Sequence, residues 1–466
     1  MPETPTAPPP LPKSQPSFGR RYSTIIKLLG VGALVFILLI PLAMITGVLS
    51  DRLTRRNEAV ADITSSWGRE QSVIGPVLII PYQYRFKTVK EFPGKDGKME
   101  RREVEETATA EAYFLPETLA INGDVQTQKL HRGIYEAVVF RAQIVLAGKF
   151  ATPNFEALKI DLKDVQWKDA HVTIAVSDLR GTREALVLDW GGMKRPLLPG
   201  SQVPGYTTGA TAYLGSDKPL ADTTEFSVPL DINGSEGIFF APFGVQNVVN
   251  LKSNWPDPGF RGAFLPATRS VRPDGFDANW KVSYYGRDYP QQWESRGGND
   301  RYTTKSVGES RFGAQFLSML DAYRYVERSI KYGVLFLVLV FTTFFLFEVT
   351  ARQKIHPFQY LMVGAALCLF YLLLLSISEF IGFSWAYLAA AVASIVLITW
   401  YGRFFLGGGV RTVMIGAGLA GVYLFLYITL RQQDYALLMG AIALFIVLAV
   451  VMYVTRKVDW YARDAG

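Results

Sequence analysis

Three histidines, His131, His171 and His356, and one cysteine, Cys368, are all that this 466-residue chain offers the commonest metal and nucleophile chemistry. Zinc needs Cys, His or carboxylate ligands at a spacing that brings them together. No HExxH or CxxC occurs, and nothing in the spacing supplies His131 and His171 with acidic partners, so each reads as a surface or strand-end residue. No GxxxxGK[ST] loop is present to cradle a phosphate, and no GxSxG to raise a serine nucleophile. A lipid-phosphate transferase or glycan hydrolase needs a nucleophile beside a positioned base, and no such pair can be assembled. The sequence therefore predicts no catalytic residue, no cofactor and no metal.

Two other groups of residues carry more. Glu348, His356, Glu379 and Arg403 stand beside long apolar runs, and ionisable groups within a bilayer are costly and functional by default. Their depth matters. Glu348 follows Tyr332 by roughly 24 Å of helix at 1.5 Å per residue, which puts it at the rim of a span. Transporters place coupling charges near the midplane on broken helices. The four residues read first as interfacial anchors, then as a proton- or ligand-linked switch built on Glu348 and His356, and last as transport groups.

The second group lies in SNWPDPGFRGAFLPATR (253–269), where Trp255, Phe260 and Phe264 sit among prolines and glycines with Arg261 and Arg269 close by. The stretch is too rich in Pro and Gly for regular strand. Its rings either plug the base of a domain or present a surface to a glycan, peptide or lipid, with the two arginines as anion partners.

A membrane block and a large polar insert must position these residues. Apolar residues make up 49% of the chain, an ordinary share for a soluble domain, but they gather at 25–49 and again at 332–454. About 20 apolar residues cross the ~30 Å hydrocarbon core as a helix. Ile25 to Leu49, behind Arg20, Arg21 and Lys27, is the first span. It outlasts a signal-peptide core and no A-x-A-like site follows, so it reads as an uncleaved anchor, kinked at Pro41. Spans at 332–347, 358–378, 380–401, 412–430 and 435–454 bring the total to about six. GAGLAG (416–421) lets helices approach closely and leaves a homo-oligomer contact open.

Residues 1–24, rich in proline, read as a disordered tail, and 456–466 as a second short tail. Linkers 351–357 and 402–411 hold Arg352, Lys354, Arg403 and Arg411, and the second tail holds Arg456, Lys457 and Arg463. The excess of Lys and Arg on cytoplasmic loops puts these segments and both termini in the cytoplasm. Arg52, Arg55 and Arg56 fall on the opposite side, but they open an insert long enough to escape that rule. The net charge of +7 forms no basic block, which excludes nucleic acid as a partner.

The insert, 50–331, changes pattern at Val73. VLIIPYQYRF, TATAEAYFLP, YEAVVFRAQIVLAGKF and HVTIAVSDL alternate with a period near two and are rich in β-branched and aromatic residues. PGKDGK (93–98), INGD (121–124) and SDLRG (177–181) read as turns between them. Only 51–72 and 311–329 offer long helical candidates. In the first, Leu53, Val60, Ile63 and Trp67 share a face opposite Arg55, Glu58 and Asp62, which suits either packing on the domain or lying on a lipid surface. The fold class is a helical membrane block of about six helices carrying a mainly antiparallel, sandwich-like β domain.

Several stretches, in order, resemble the CreD family of bacterial inner-membrane proteins. The clearest is FFLFEVTARQKIHPFQYLMVGAALCLFYLLLLSISEFIGFSWAY, followed by VIGPVLIIPY (73–82), LPETLAINGDV (115–125), SDLRG, SNWPDPGFRGAFLPATR and VDWY (458–461). The likeness runs from about 25 to 461. It implies an inner-membrane protein of Gram-negative bacteria, expressed under a sensor kinase and response regulator. It also implies a part in envelope integrity and stress tolerance, and carries over no catalytic residues. The reading that results is a non-enzymatic envelope protein whose periplasmic domain binds an envelope lipid, glycan or protein, with membrane lipids around its helices. The alternatives are a transporter or flippase-like protein, or a membrane-embedded enzyme.

Overall fold

The computed structural model describes residues 23–93, 99–182, 184–216, 219–220, 223–296, 304–316, 322–351, 355–405, 409–432 and 435–456. Both expected tails fall outside these, apart from Ser23, Thr24 and Arg456, as do Arg352, Lys354 and most of PGKDGK. The chain divides into two compact units, one of residues 1–55 with 320–466 and one of residues 56–319.

The first helix, α1 (Ser23–Trp67), runs unbroken through Pro41. The first span and the amphipathic stretch after it, read separately in the sequence, are one helix. After α2 (Thr304–Glu309), the helical unit contains α3 (Ala322–Lys331), α4 (Gly333–Ala351), α5 (Pro357–Ile381), α6 (Phe383–Gly402), α7 (Gly409–Arg431) and α8 (Ala436–Thr455). Leu29–Trp67 within α1, and all of α5, α6 and α7, are long and apolar enough to cross a membrane. The pair α3 and α4, bent by 48° at its break, makes a fifth, and Leu438–Tyr453 in α8 is a shorter apolar helix. This agrees with the expected block of about six. Phe380, Trp385, Val396, Trp400, Val413 and Phe445 are widely exposed, as side chains solvated by lipid tails should be.

Local chemistry sets the hairpin between α4 and α5. Pro357 occupies the first turn of α5, where its missing N–H costs nothing. His356 caps the helix: the Phe358 N–H donates to its Nδ1 at 3.2 Å, and its own N–H donates to Gln359 Oε1 at 2.9 Å. Gly382, at φ +76°, closes α5 and opens α6. At Gly364 a Cβ would come 2.1 Å from Leu38 Cδ1, so α1 and α5 pack through a position without a side chain.

The other unit is two sheets over one core. Its strands run β1 (Gln71–Pro93), β2 (Met99–Phe114), β3 (Thr118–Arg132), β4 (Tyr135–Ala151), β5 (His171–Val176) and β6 (Val187–Trp190). They continue through β7 (Met193–Pro196), β8 (Leu198–Pro199), β9 (Gly209–Tyr213), β10 (Thr223–Ser235), β11 (Gly237–Phe240) and β12 (Gln246–Ser253). The last are β13 (Pro258–Gly262), β14 (Thr268–Arg272), β15 (Gly275–Ser283), β16 (Gln292–Ser295) and β17 (Phe312–Phe316). One sheet has the order β13-β17-β11-β1-β5-β9-β8, with β2 and then β16 built out from β1; the other is β14-β15-β12-β3-β4-β10-β6-β7. Pairing is antiparallel except for β1 with β11 and β12 with β3.

β1 is central because its first half is apolar on both faces: Gln71 through Ile80 are buried throughout. Past Tyr82 it leaves the sheet and pairs with β2 as a two-stranded arm, laced by Lys87–Glu103 at 3.5 Å and Arg101–Glu91 at 2.9 Å. Between the sheets, Phe140, Phe240, Phe276, Trp280 and Phe312 are fully buried. Each buried Phe contributes about 1.5–3 kcal/mol.

Three expectations are corrected. INGD lies inside β3, where Asn122 accepts a hydrogen bond from Asn250 Nδ2 on β12 at 2.8 Å. In the segment 311–329, Phe312–Phe316 is a buried strand, and the helix described there is Ala322–Lys331. The Pro- and Gly-rich stretch 253–269 contains β13 and the start of β14. Both are edge strands, and Pro258 is the first residue of its strand, the places where such residues are tolerated.

Candidate functional site

The rings of the 253–269 stretch face inward. Trp255 is 8% exposed, and its Nε1–H donates to the Asp257 carbonyl at 3.0 Å. Phe260 meets Phe276 and Trp280 edge-on, with centroids 5.6 and 5.7 Å away, and Phe264 meets Phe312 at 5.7 Å. Trp280 Nε1 donates to the Phe264 carbonyl at 3.2 Å, locking the segment to β15. Arg269, on β14, stands 5.9 Å from the Phe260 ring and lines a separate polar groove with Asn122, Asn250 and Asn279. The two arginines of the motif therefore face different depressions.

Arg261 opens the more informative one. Across β13, β17 and β11, Gly259 and Gly237 flank Gln315, while Arg261 and Phe239 flank Gly313. Directly opposed residues share a face of a pleated sheet. Arg261, Gln315 and Phe239 thus stand on the face opposite Phe260, and the glycines between them keep its floor low. Arg311, just before β17, donates from Nε to the Gly308 carbonyl at 3.2 Å and from Nη1 to Ser72 Oγ. Its Nη1 is also 3.8 Å from Glu70 Oε1, and its guanidinium lies 5.9 Å from the Phe239 ring. With Gly262, Ala263, Gly308 and Glu309, these residues line an open cavity of about 480 Å³. Gly262 is required there: it has φ +103°, and a Cβ would lie 2.1 Å from the Arg311 carbonyl oxygen.

The cleft is electrostatically mixed. Burial raises the Glu70 carboxyl above the usual carboxylate range; Arg311 opposes the rise and Glu236 adds to it. Gln315 Oε1 is buried and accepts no hydrogen bond among the described residues. Arg261 is exposed. Neither Arg311 nor Glu70 was legible as a site residue, because each lies far along the chain from Arg261 and in no recognisable motif.

Beside the cleft, a buried amide ties three segments together. Gln71, fully buried, donates through Nε2 to the carbonyls of Asp178 at 3.0 Å and Asn233 at 2.6 Å, and accepts from the Asp178 N–H at 3.2 Å. Asp178 and Arg180 of SDLRG form a two-point ion pair, which holds the Asp178 carboxyl below its usual range.

In the helical unit the four rim residues do not form one cluster. Glu348 is 7% exposed, accepts from the Tyr360 hydroxyl at 3.0 Å through Oε2, and accepts from the Ile355 N–H at 3.3 Å through Oε1. His356 spends its Nδ1 on the α5 cap. Glu379 accepts from the Tyr323 hydroxyl at 3.0 Å and lies 3.7 Å from Arg52 Nη1. Arg403, exposed, ends α6. The histidines of the β unit also stand apart: His131 Nε2 is 3.7 Å from Glu136, and His171 Nδ1 meets the Asp169 carbonyl at 2.8 Å. Among the described residues no three His, Cys, Asp or Glu side chains could hold one metal ion.

Residues 23–461 match the family model described as Inner membrane protein CreD. The chain belongs to the CreD family. It is similar to the Inner membrane protein CreD of Escherichia coli (strain K12), with 30% identity over 428 residues that cover 92% of each chain. The CreD match takes in both units, so the cleft around Arg261 and the acid–tyrosine contacts of the helices lie within the shared length.

Proposed function

We propose that this CreD family member is a non-enzymatic protein of the bacterial envelope, with its β unit on the periplasmic side binding an envelope component in the Arg261–Arg311–Glu70 cleft. The observation that carries this reading is the cleft itself. It brings the exposed Arg261 together with the Arg311–Glu70 pair around a low floor, whereas Trp255 is buried in the core and Phe260 and Phe264 pack against it. Orientation rests on the basic residues Arg403, Arg411 and Arg456 at one side of the helical block. Envelope integrity is the role that such binding would serve, with the helices anchoring the domain among membrane lipids.

A transporter would use Glu348 or Glu379 as a coupling group. Both carboxylates already have tyrosine partners, and Glu348 also accepts a backbone N–H. That favours a packing role for them. The test is native mass spectrometry of the full-length protein in mild detergent, beside Arg261→Gln. A defined envelope component retained by the parent and lost from a folded variant supports the reading. A bare parent protein across several gentle preparations, or equal retention by both, overturns it.

A further inference from the structure

We infer that the cleft takes a small zwitterion, its anionic group on Arg261 and its ammonium against Glu70. This deepens the binding reading above and rests on it.

Arg311 is largely committed, to Ser72 Oγ, the Gly308 carbonyl and, more loosely, Glu70. Arg261 projects from the same sheet face with no ion pair among the described residues. On the acceptor side, the 3.8 Å separation from Arg311 leaves room on the Glu70 carboxylate, whose side chain is 39% exposed. An anion alone would meet Glu70 and Glu309 at the walls; a cation alone would meet Arg261 and Arg311. Like-charge contact penalises both. A ligand with both signs satisfies the two sides at once, and Phe239 supplies an apolar wall for the short chain joining its charges.

A cavity of about 480 Å³ is within the usual range for small-molecule sites and admits something of dipeptide size. Two sources share this chemistry: a short peptide or amino acid with free ends, and the phosphate–amine head group of a lipid. The structure favours the charge pattern; the experiment separates the sources.

Full-length protein in detergent is titrated by calorimetry with glycylglycine and with O-phosphoethanolamine, and with two single-charge controls, N-acetylglycine and glycinamide. The expected result is that at least one zwitterion binds about tenfold more tightly than either control. Arg261→Gln should lose that advantage with a melting temperature near that of the parent, and so should Glu70→Gln with one no lower than the parent's. Preference for glycylglycine assigns a peptide-like ligand, and preference for O-phosphoethanolamine a head group. Equal binding of zwitterion and anion control overturns the inference, as does zwitterion binding that neither substitution weakens. If no probe binds while an envelope component is still retained through Arg261, the zwitterion assignment fails and the binding reading survives. If that retention is also absent, both fail.

Discussion

The Tyr360 hydroxyl donates to Glu348 Oε2 at 3.0 Å, joining the last turn of one membrane helix to the first turn of the next. Glu348 Oε1 meanwhile accepts the Ile355 N–H, just before the His356 cap. One carboxylate thus fastens both the helix and the chain entering it. Tyr360→Phe removes a donor to a charged group and should lower stability in detergent by about 1.5–3 kcal/mol. Glu348→Gln keeps the shape and should cost less. Thermal unfolding of both variants and of the double variant gives a coupling energy, which should be clearly favourable. Additive losses would mean that the contact does not bear on stability.

Gln71 predicts a larger effect in the β unit. Its amide meets the Asp178 N–H and carbonyl and the Asn233 carbonyl from a fully buried position. Gln71→Ala leaves those backbone groups without their partner and opens a cavity against Gly234, whose missing Cβ would lie 2.7 Å from Gln71 Cγ. The expected loss is about 3 kcal/mol. Denaturant unfolding followed by Trp fluorescence measures it, and a loss below about 1 kcal/mol would show that water substitutes freely there.

These cases show what the sequence makes legible. Long apolar runs identify the membrane helices, because nothing else in a soluble chain keeps twenty such residues together. Period-two alternation identifies the β domain. Asn122 and Gly123 mislead as a turn because their reasons are cross-strand: Asn122 bonds to Asn250, and Gly123 lies beneath Leu251, whose Cδ1 would be 3.0 Å from a Cβ. Phe312–Phe316 is hidden for a different reason: it is five residues long and starts just after α2. The candidate site was half visible. Arg261 stood out by its motif, but Gln315 acquires meaning only from the β13–β17–β11 register, and Glu70 and Arg311 only from their contact beside it.

Trp255 separates structure from recognition. Its side chain is 8% exposed and belongs to the core between the sheets. Trp255→Ala should cost about 3–5 kcal/mol, as truncation of a buried aromatic does, whereas Arg261→Gln at the surface should change stability by less than about 0.5 kcal/mol. Comparing their melting temperatures in the full-length protein checks both. A Trp255→Ala protein with parental stability would place that ring outside the core.

Glu70 and Asp178 should give the β unit opposing responses to pH. The folded state holds the Glu70 carboxyl high, chiefly by burial, so its neutral form favours folding, and that contribution is lost as pH rises through the raised value. Asp178 is held low, chiefly by Arg180. Its contribution is complete above the usual carboxylate range and is lost as pH falls through the lowered value. Glu70→Gln should therefore be more stable than the parent at neutral pH, with the difference closing on acidification. Asp178→Asn should be less stable at neutral pH, with its deficit shrinking in acid. Melting temperatures of the three proteins between pH 3 and pH 8 decide it. A Glu70→Gln protein that is destabilised most at neutral pH would mean that the Arg311 pair outweighs burial, and would reverse the sign assigned to Glu70.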